Sequence, residues 1–297
     1  MQRPVTLDGM LAALDRFVTR EGTAQALAFQ PHPSDVIITP FGKCGTTWMQ
    51  QIVHGLRSGG DMSFDEISAV VPWIELAHDM GIDISAPQAQ TPRAFKSHLT
   101  WHDIPKGGRY IVVLRDPLDA MVSMYRFFDG WFFARGSVRL NDFAEYYLAR
   151  EEVGRDFWTH AASWWGVRDR ADVLVLAYEH MKRDLPGTVR RVAGFIGIDD
   201  GAAIDIATRQ AAFDFMKAHD RQFDDHLTRA SRDSACGLPP GSEASKVDRG
   251  LAGQGKPQVS DEIRALYAAH WQDVMGAAFD LPDYSALLAV LARETRA

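Results

Sequence analysis

Short apolar runs alternate with longer stretches of helical period along this chain. The first run, residues 35–40 (DVIITP), is brief and β-branched, and a glycine-bearing turn follows it. A helical pattern then covers about 46–57. Further runs stand at 93–97 (RAFKS), 109–115 (RYIVVLR) and 172–178 (DVLVLAY). Apolar runs separated by helical patterns predict an α/β fold, with a central, mostly parallel sheet flanked by helices. Helices are expected at 142–149, 157–168, 186–196, 200–213, 260–275 and 284–292. Pro117 is placed to open another after the third run. The N-terminal pattern carries Asp8 and Asp15 among its apolar positions, which reads as an amphipathic helix and not as a secretory leader. Residues 220–258 mix charge with Gly, Pro and Ser and keep no period. They are expected to be irregular, and segments of that kind in compact domains are often functional. No repeat or linker divides the chain, so residues 1–297 read as one domain.

Composition narrows this picture only a little. At 46% hydrophobic and 24% charged residues, the 297-residue chain is ordinary for a folded protein, which excludes disorder. The formal charge of −7 argues against a general nucleic-acid binder but leaves room for a local basic pocket. No stretch approaches the roughly 18 consecutive apolar residues of a membrane span. Cys44 and Cys236 are too few for a disulfide framework or a zinc site. The expectation is a soluble, cytoplasmic protein with reduced thiols.

The chemistry starts in the turn after the first run. DVIITP-FGKCGTTW is strand, turn and helix. A helix N-terminus presents unpaired N–H groups and partial positive charge, hence an anion site. Lys43 adds a full charge, Gly42 and Gly45 allow close approach, and Thr46 and Thr47 add hydroxyls. A nucleoside-triphosphate loop would need Gly where Ile37 stands and Ser or Thr where Cys44 stands. The turn therefore suits an anion without an obvious metal ligand. A tight turn with a surface lysine is the plainer alternative.

PFGKCGTTWMQQIV resembles the 5′-phosphosulfate loop of the cytosolic sulfotransferase family, which uses 3′-phosphoadenosine 5′-phosphosulfate (PAPS) and releases 3′-phosphoadenosine 5′-phosphate (PAP). Lys43, Gly45, Thr46, Thr47 and Trp48 match its pattern, with Cys44 at the usual Ser and Gly42 at the usual Pro. The resemblance assigns Lys43, Cys44, Gly45, Thr46, Thr47 and Trp48 to this P-loop-like turn.

On the second run, Lys96 and His98 lie two apart, so period two sends both to one face. AFKSHLTW is similar to the family's Lys-x-His-Leu element, whose His is the general base. RYIVVLRDPLDAMVSMY resembles the 3′-phosphate element, with Arg115, Asp116, Pro117, Asp119, Ser123 and Tyr125 matching. Arg115 and Ser123 then hold the 3′-phosphate, and the Ser is held to restrain the loop lysine. Without the resemblance, Arg115 pairing with Asp116 or Asp119 is an equally ordinary arrangement. Tyr178, in LAYEHMKRD, matches an adenine-contacting tyrosine. Phe213 and Met216 match a Ser-Phe-x-x-Met-Lys element in which Ala212 replaces the hydroxyl residue. SKVDRGLAGQGK resembles the terminal covering loop through Arg249 and Gly250, with Gly253 and Lys256 keeping the spacing. Asp248 and Gly255 depart from the pattern, and Asp248 would repel a phosphate unless it turns away or Arg249 or Lys246 compensates.

The resemblance implies an enzyme that passes a sulfuryl group from PAPS to a hydroxyl, with Lys43, Lys96, His98 and Ser123 as its catalytic set and no metal. Phe41, Trp73, Trp101 and the run 127–133 (FFDGWFF) either line an apolar acceptor pocket or pack the core. The partner is a small molecule; oligomeric state is open. An ATP-dependent phosphotransferase and a catalytically silent nucleotide binder are the alternatives.

Overall fold

Four strands form one parallel sheet: β1 (Val36–Ile38), β2 (Ala94–Lys96), β3 (Arg109–Leu114) and β4 (Val173–Ala177), in the order β2-β1-β3-β4. The computed structural model describes residues 1–149, 156–242, 246, 253 and 255–294. Each strand lies inside one of the four apolar runs, shortened at its ends.

Why these runs are apolar throughout follows from the pleat. Side chains alternate between faces, and a parallel sheet is covered on both. Ile37, Phe95, Tyr110, Val112, Leu114, Val173 and Val175 point into one core. Val36, Ile38, Ala94, Ile111, Val113, Leu174 and Leu176 point into a second. Helices Thr46–Ser58, Leu185–Ile196 and Gly201–Gln210 cover the second face through Ile52, Val53, Leu56, Val189, Val192 and Ala207. Helices Pro117–Phe128, Phe157–Trp165, Asp261–Trp271 and Tyr284–Glu294 cover the first.

Two expectations change. The N-terminal pattern is two helices, Leu7–Leu14 and Arg20–Ala28, each capped by a threonine, Thr6 and Thr19. Part of the segment expected to be irregular is helical, at Asp220–Phe223 and His226–Arg232. Tertiary contacts hold it: Phe223 is fully buried and Leu227 donates its N–H to Glu66 Oε2 at 2.6 Å.

The run Asp261–Glu294 is long and apolar enough to cross a membrane by length and composition. It is neither continuous nor apolar on every side, and it packs by one face. Asp280 breaks it with a left-handed φ of 54°, and Ile263, Tyr267, Trp271, Met275, Leu287 and Leu291 are buried against the rest of the protein. Both cysteines are buried and unpaired.

The strand order decides where a ligand goes. The chain leaves β1 for β2 on one side, then returns to β3 on the other. In open α/β sheets a crevice forms at such a reversal, outside the carboxyl ends of the strands. Every strand is parallel, so the turns after all four meet at that edge.

Candidate active site

The turn after β1 is closed by Cys44 N–H donating to the Phe41 carbonyl at 3.0 Å. Lys43 takes a φ of 67° and Gly45 one of 98°. A Cβ on Gly45 would stand 3.1 Å from Tyr178 Cδ2, so glycine is required there both for its backbone and for its neighbour. Gly45 caps the helix Thr46–Ser58 without any side-chain bond. The Thr46 hydroxyl beside it is buried and has no protein partner. Open helix N–H groups and an unanswered buried hydroxyl fit an incoming phosphate. The Cys44 thiol faces inward, and burial pushes its pKa up to about 12, so it stays protonated.

The turn after β3 brings Arg115 to the same loop. One guanidinium nitrogen donates to the Lys43 carbonyl at 2.8 Å, and the guanidinium lies 4.3 Å from the Tyr178 ring. The neighbouring carboxylates are engaged elsewhere. Asp116 caps the next helix through Leu118 and Asp119 N–H and stands 3.7 Å from Lys256. Asp119 accepts from Gly253 and Gly255 N–H at 2.5 and 2.6 Å. Asp119, Ser123 and Phe127 form one helical stripe at four-residue spacing. The Lys43 ammonium sits 4.0 Å from the Phe127 ring centroid, which brings half-buried Ser123 to the loop side.

The covering segment therefore meets the helix Pro117–Phe128 at Asp119, one turn before Ser123. Gly255 is needed there for space: a Cβ would lie 2.6 Å from the Leu118 carbonyl. Arg249, Gly250 and Asp248 lie outside the described residues.

Tyr178 opens the helix after β4. Its ring packs edge-on at 5.5 Å against Trp48, whose Nε1 donates to the Ala211 carbonyl at 2.8 Å. Ala212 caps the helix Phe213–Ala218 with no side-chain bond, as expected where a hydroxyl is missing. Phe213 is 44% exposed, whereas Met216 is buried.

The turn after β2 carries the other end of the site. β2 ends at Lys96, and His98 stands two residues past it, but both meet Trp73. The Lys96 ammonium lies 3.5 Å from the Trp73 ring centroid, and the His98 ring packs against it at 5.0 Å. His98 Nδ1 is 2.6 Å from the Pro40 carbonyl. A carbonyl only accepts, so Nδ1 carries the proton and Nε2 keeps its lone pair. Burial, and then the Lys96 charge, hold His98 well below the usual histidine range, so it is neutral near pH 7. Glu75 fixes the backbone here, accepting from His98 N–H at 2.6 Å.

These groups act on one another. Burial lowers Lys43 and Lys96 each to about 7, repulsion from Lys246 adds to this, and Asp225 opposes it. Asp225 is buried and paired with Lys246. Sequence reading missed Asp225 and Glu75. No local pattern marks either, since both reach the site from segments distant from the motifs. Of the aromatic candidates, Trp73 borders Lys96 and His98, and Phe127 lies under Lys43. Trp131, Phe132 and Phe133 are core, and Trp101 packs on Tyr110 and Trp164. Among the described residues no cluster of three or more His, Cys, Asp or Glu side chains is arranged for a metal ion.

The sulfotransferase domain family matches residues 33–279. Sulfotransferase 1C2 of Rattus norvegicus is 27% identical over 211 residues, covering 67% of this chain and 71% of that protein. Sulfotransferase 2A1 of Rattus norvegicus is 28% identical over 195 residues, covering 63% and 68%. Retinol dehydratase, solved with retinol and PAP, superposes with a TM-score of 0.70 over 92% of this chain and 96% of that one, at 18% identity. A mouse sulfotransferase complexed with PAP superposes at 0.68 over 93% and 95%, also at 18% identity. At that identity the likeness establishes a shared fold. The matched residues enclose β1 to β4 and each of the four turns that meet at the cleft, and the chain belongs to the sulfotransferase domain family.

Proposed function

We propose that the cleft transfers a sulfuryl group from PAPS to the hydroxyl of a small apolar or aromatic acceptor and releases PAP. The observation that carries this reading is the convergence of Lys43, Lys96, Arg115 and a neutral His98 on one sheet edge. The 5′-phosphate finds the open N-terminus at Gly45, the unanswered Thr46 hydroxyl and Thr47. Arg115 and Ser123 take the 3′-phosphate. Tyr178, Trp48, Phe213 and Met216 border the adenine, with Arg249 and Gly250 as a cover.

PAPS brings an activated anhydride, so no protein nucleophile is needed. His98 Nε2 takes the acceptor proton as the acceptor oxygen bonds to sulfur and the bond from sulfur to the bridging oxygen breaks. Charge grows on the departing bridging oxygen, where Lys43 stands ready; Lys96 answers the sulfuryl oxygens. Fixed cations help most where charge develops in the transition state. The aromatic surroundings of His98 favour an apolar alcohol or phenol. The retinol dehydratase structures hold retinol or androsterone together with PAP. A cytoplasmic setting fits two buried free thiols.

The test is calorimetry with PAP and with Mg-ATP, followed by transfer assays with labelled PAPS across phenols, steroid-like alcohols and charged sugars. Tight PAP binding and transfer to apolar hydroxyls are expected. Tight Mg-ATP binding alone would overturn the reading in favour of a phosphotransferase.

A further inference from the structure

Glu179 and Tyr284 are half-buried, titratable and unused by the reaction described above. β3 and β4 are neighbours, with Leu114 opposite Ala177. Arg115–Asp116 and Tyr178–Glu179 are therefore the paired exits of adjacent strands. Glu179 ties them together: its Oε1 accepts from Asp116 N–H at 3.3 Å. Its Oε2 accepts from the Tyr284 hydroxyl at 2.6 Å. Tyr284 opens the helix Tyr284–Glu294, and its ring packs edge-on against Trp271 at 5.8 Å.

Each oxygen of this carboxylate thus has its own task. One holds the backbone directly after Arg115, and the other anchors that hold to the C-terminal helix. Directly before Glu179, Tyr178 carries the Arg115 guanidinium on its ring. Burial raises the Glu179 pKa, so its charged form is disfavoured here. An apolar residue would fill the same space, and a carboxylate taken largely out of water is weak as a stabilising device. Its value lies in direction. A bidentate guanidinium recognises phosphate only when its fork is aimed, and small displacements at such a group are costly.

We propose that Glu179, held by Tyr284, is a positioning residue that aims Arg115 across the Tyr178 ring toward the nucleotide's 3′-phosphate. This rests on the PAPS reading above. Glu179 touches neither phosphate nor acceptor; it acts through the backbone of Asp116 and the Arg115–Tyr178 stack. The C-terminal helix thereby takes part in cofactor selection from outside the cleft.

The experiment measures dissociation constants for PAP and for adenosine 5′-monophosphate, which lacks the 3′-phosphate. Wild type, Glu179→Gln, Tyr284→Phe and Arg115→Lys are compared. Glu179→Gln, which leaves one acceptor oxygen for two donors, should weaken PAP about tenfold, the scale of one lost hydrogen bond, and leave the monophosphate within about twofold. Tyr284→Phe, which removes one hydroxyl and tests the idea if Glu179→Gln fails to fold, should weaken PAP about threefold with the same selectivity. Combined with Arg115→Lys, neither should add a further full loss, because both act through one group. Equal weakening of both nucleotides, or no weakening of PAP, overturns the inference. A wild-type protein that does not prefer PAP to the monophosphate overturns the PAPS reading itself, and this inference with it.

Discussion

The two ends of the cleft are built differently. The proposed nucleotide end takes its loop and hydroxyl residues from the contiguous segment 41–48, and adds Arg115, Ser123 and Tyr178. Its groups are cations, hydroxyls and open N–H groups, all suited to an anion. The proposed acceptor end gathers Trp73, Glu75, Lys96, His98, Asp225 and Lys246 from separate segments. Here cations and carboxylates are mixed: Glu66, Glu75 and Asp225 all raise the pKa of Lys96, against burial and Lys246. Anion capture needs one sign of charge. Proton removal needs a neutral imidazole, and burial, with the nearby Lys96 and Lys246 charges, keeps His98 in that form. Asp225 and Lys246 act on Lys43 as well as on Lys96, so the two ends share one ion pair and differ in the groups around it.

The largest test of that division is His98→Ala. Turnover should fall on the order of 10²–10⁴, the usual size of a general-base contribution. PAP affinity should stay within about twofold. An equal loss of PAP binding would merge the two ends and remove His98 from its role.

Thr46→Val tests the opposite end. Losing a hydroxyl that faces a phosphate should raise the PAP dissociation constant about tenfold. The acceptor KM should hold. A change in acceptor KM without one in PAP affinity would show that the hydroxyl serves something other than the nucleotide.

A smaller effect sharpens the comparison by pH. Lys43 and Lys96 stand near 7 in the free protein, so they are charged below that value and lose charge above it. The ratio kcat/KM for PAPS, which reports the free enzyme, should therefore fall several-fold from pH 7 to 8. Asp225 favours the charged forms, so Asp225→Asn should move this fall to lower pH. His98, already neutral, should contribute no acid limb between pH 6 and 7. A profile that rises through pH 7 to 8 would contradict the charge assignment.

The nucleotide end was the more legible in the sequence because its geometry is local. A strand, a left-handed Lys43, a glycine at Gly45 and a helix start are set by consecutive residues, and 43–48 could be read as a unit. The acceptor end was legible only at Lys96 and His98. Trp73 was one aromatic among several, and nothing beside Asp225 marked it as a charge facing Lys43 and Lys96. The helices within 220–232 escaped notice because they are short and held by buried contacts such as Phe223, not by their own period.

The amino-acid sequence by itself determined the four apolar strands, the α/β class and the strand–turn–helix unit at 35–48. These depend on side-chain alternation and on conformations that a few consecutive residues impose. Only the tertiary structure decided the order β2-β1-β3-β4, the His98 tautomer set by the Pro40 carbonyl, and the Glu179–Tyr284 hold on Arg115. Those depend on which strand exits become neighbours, and that is fixed by packing two cores against one sheet at once.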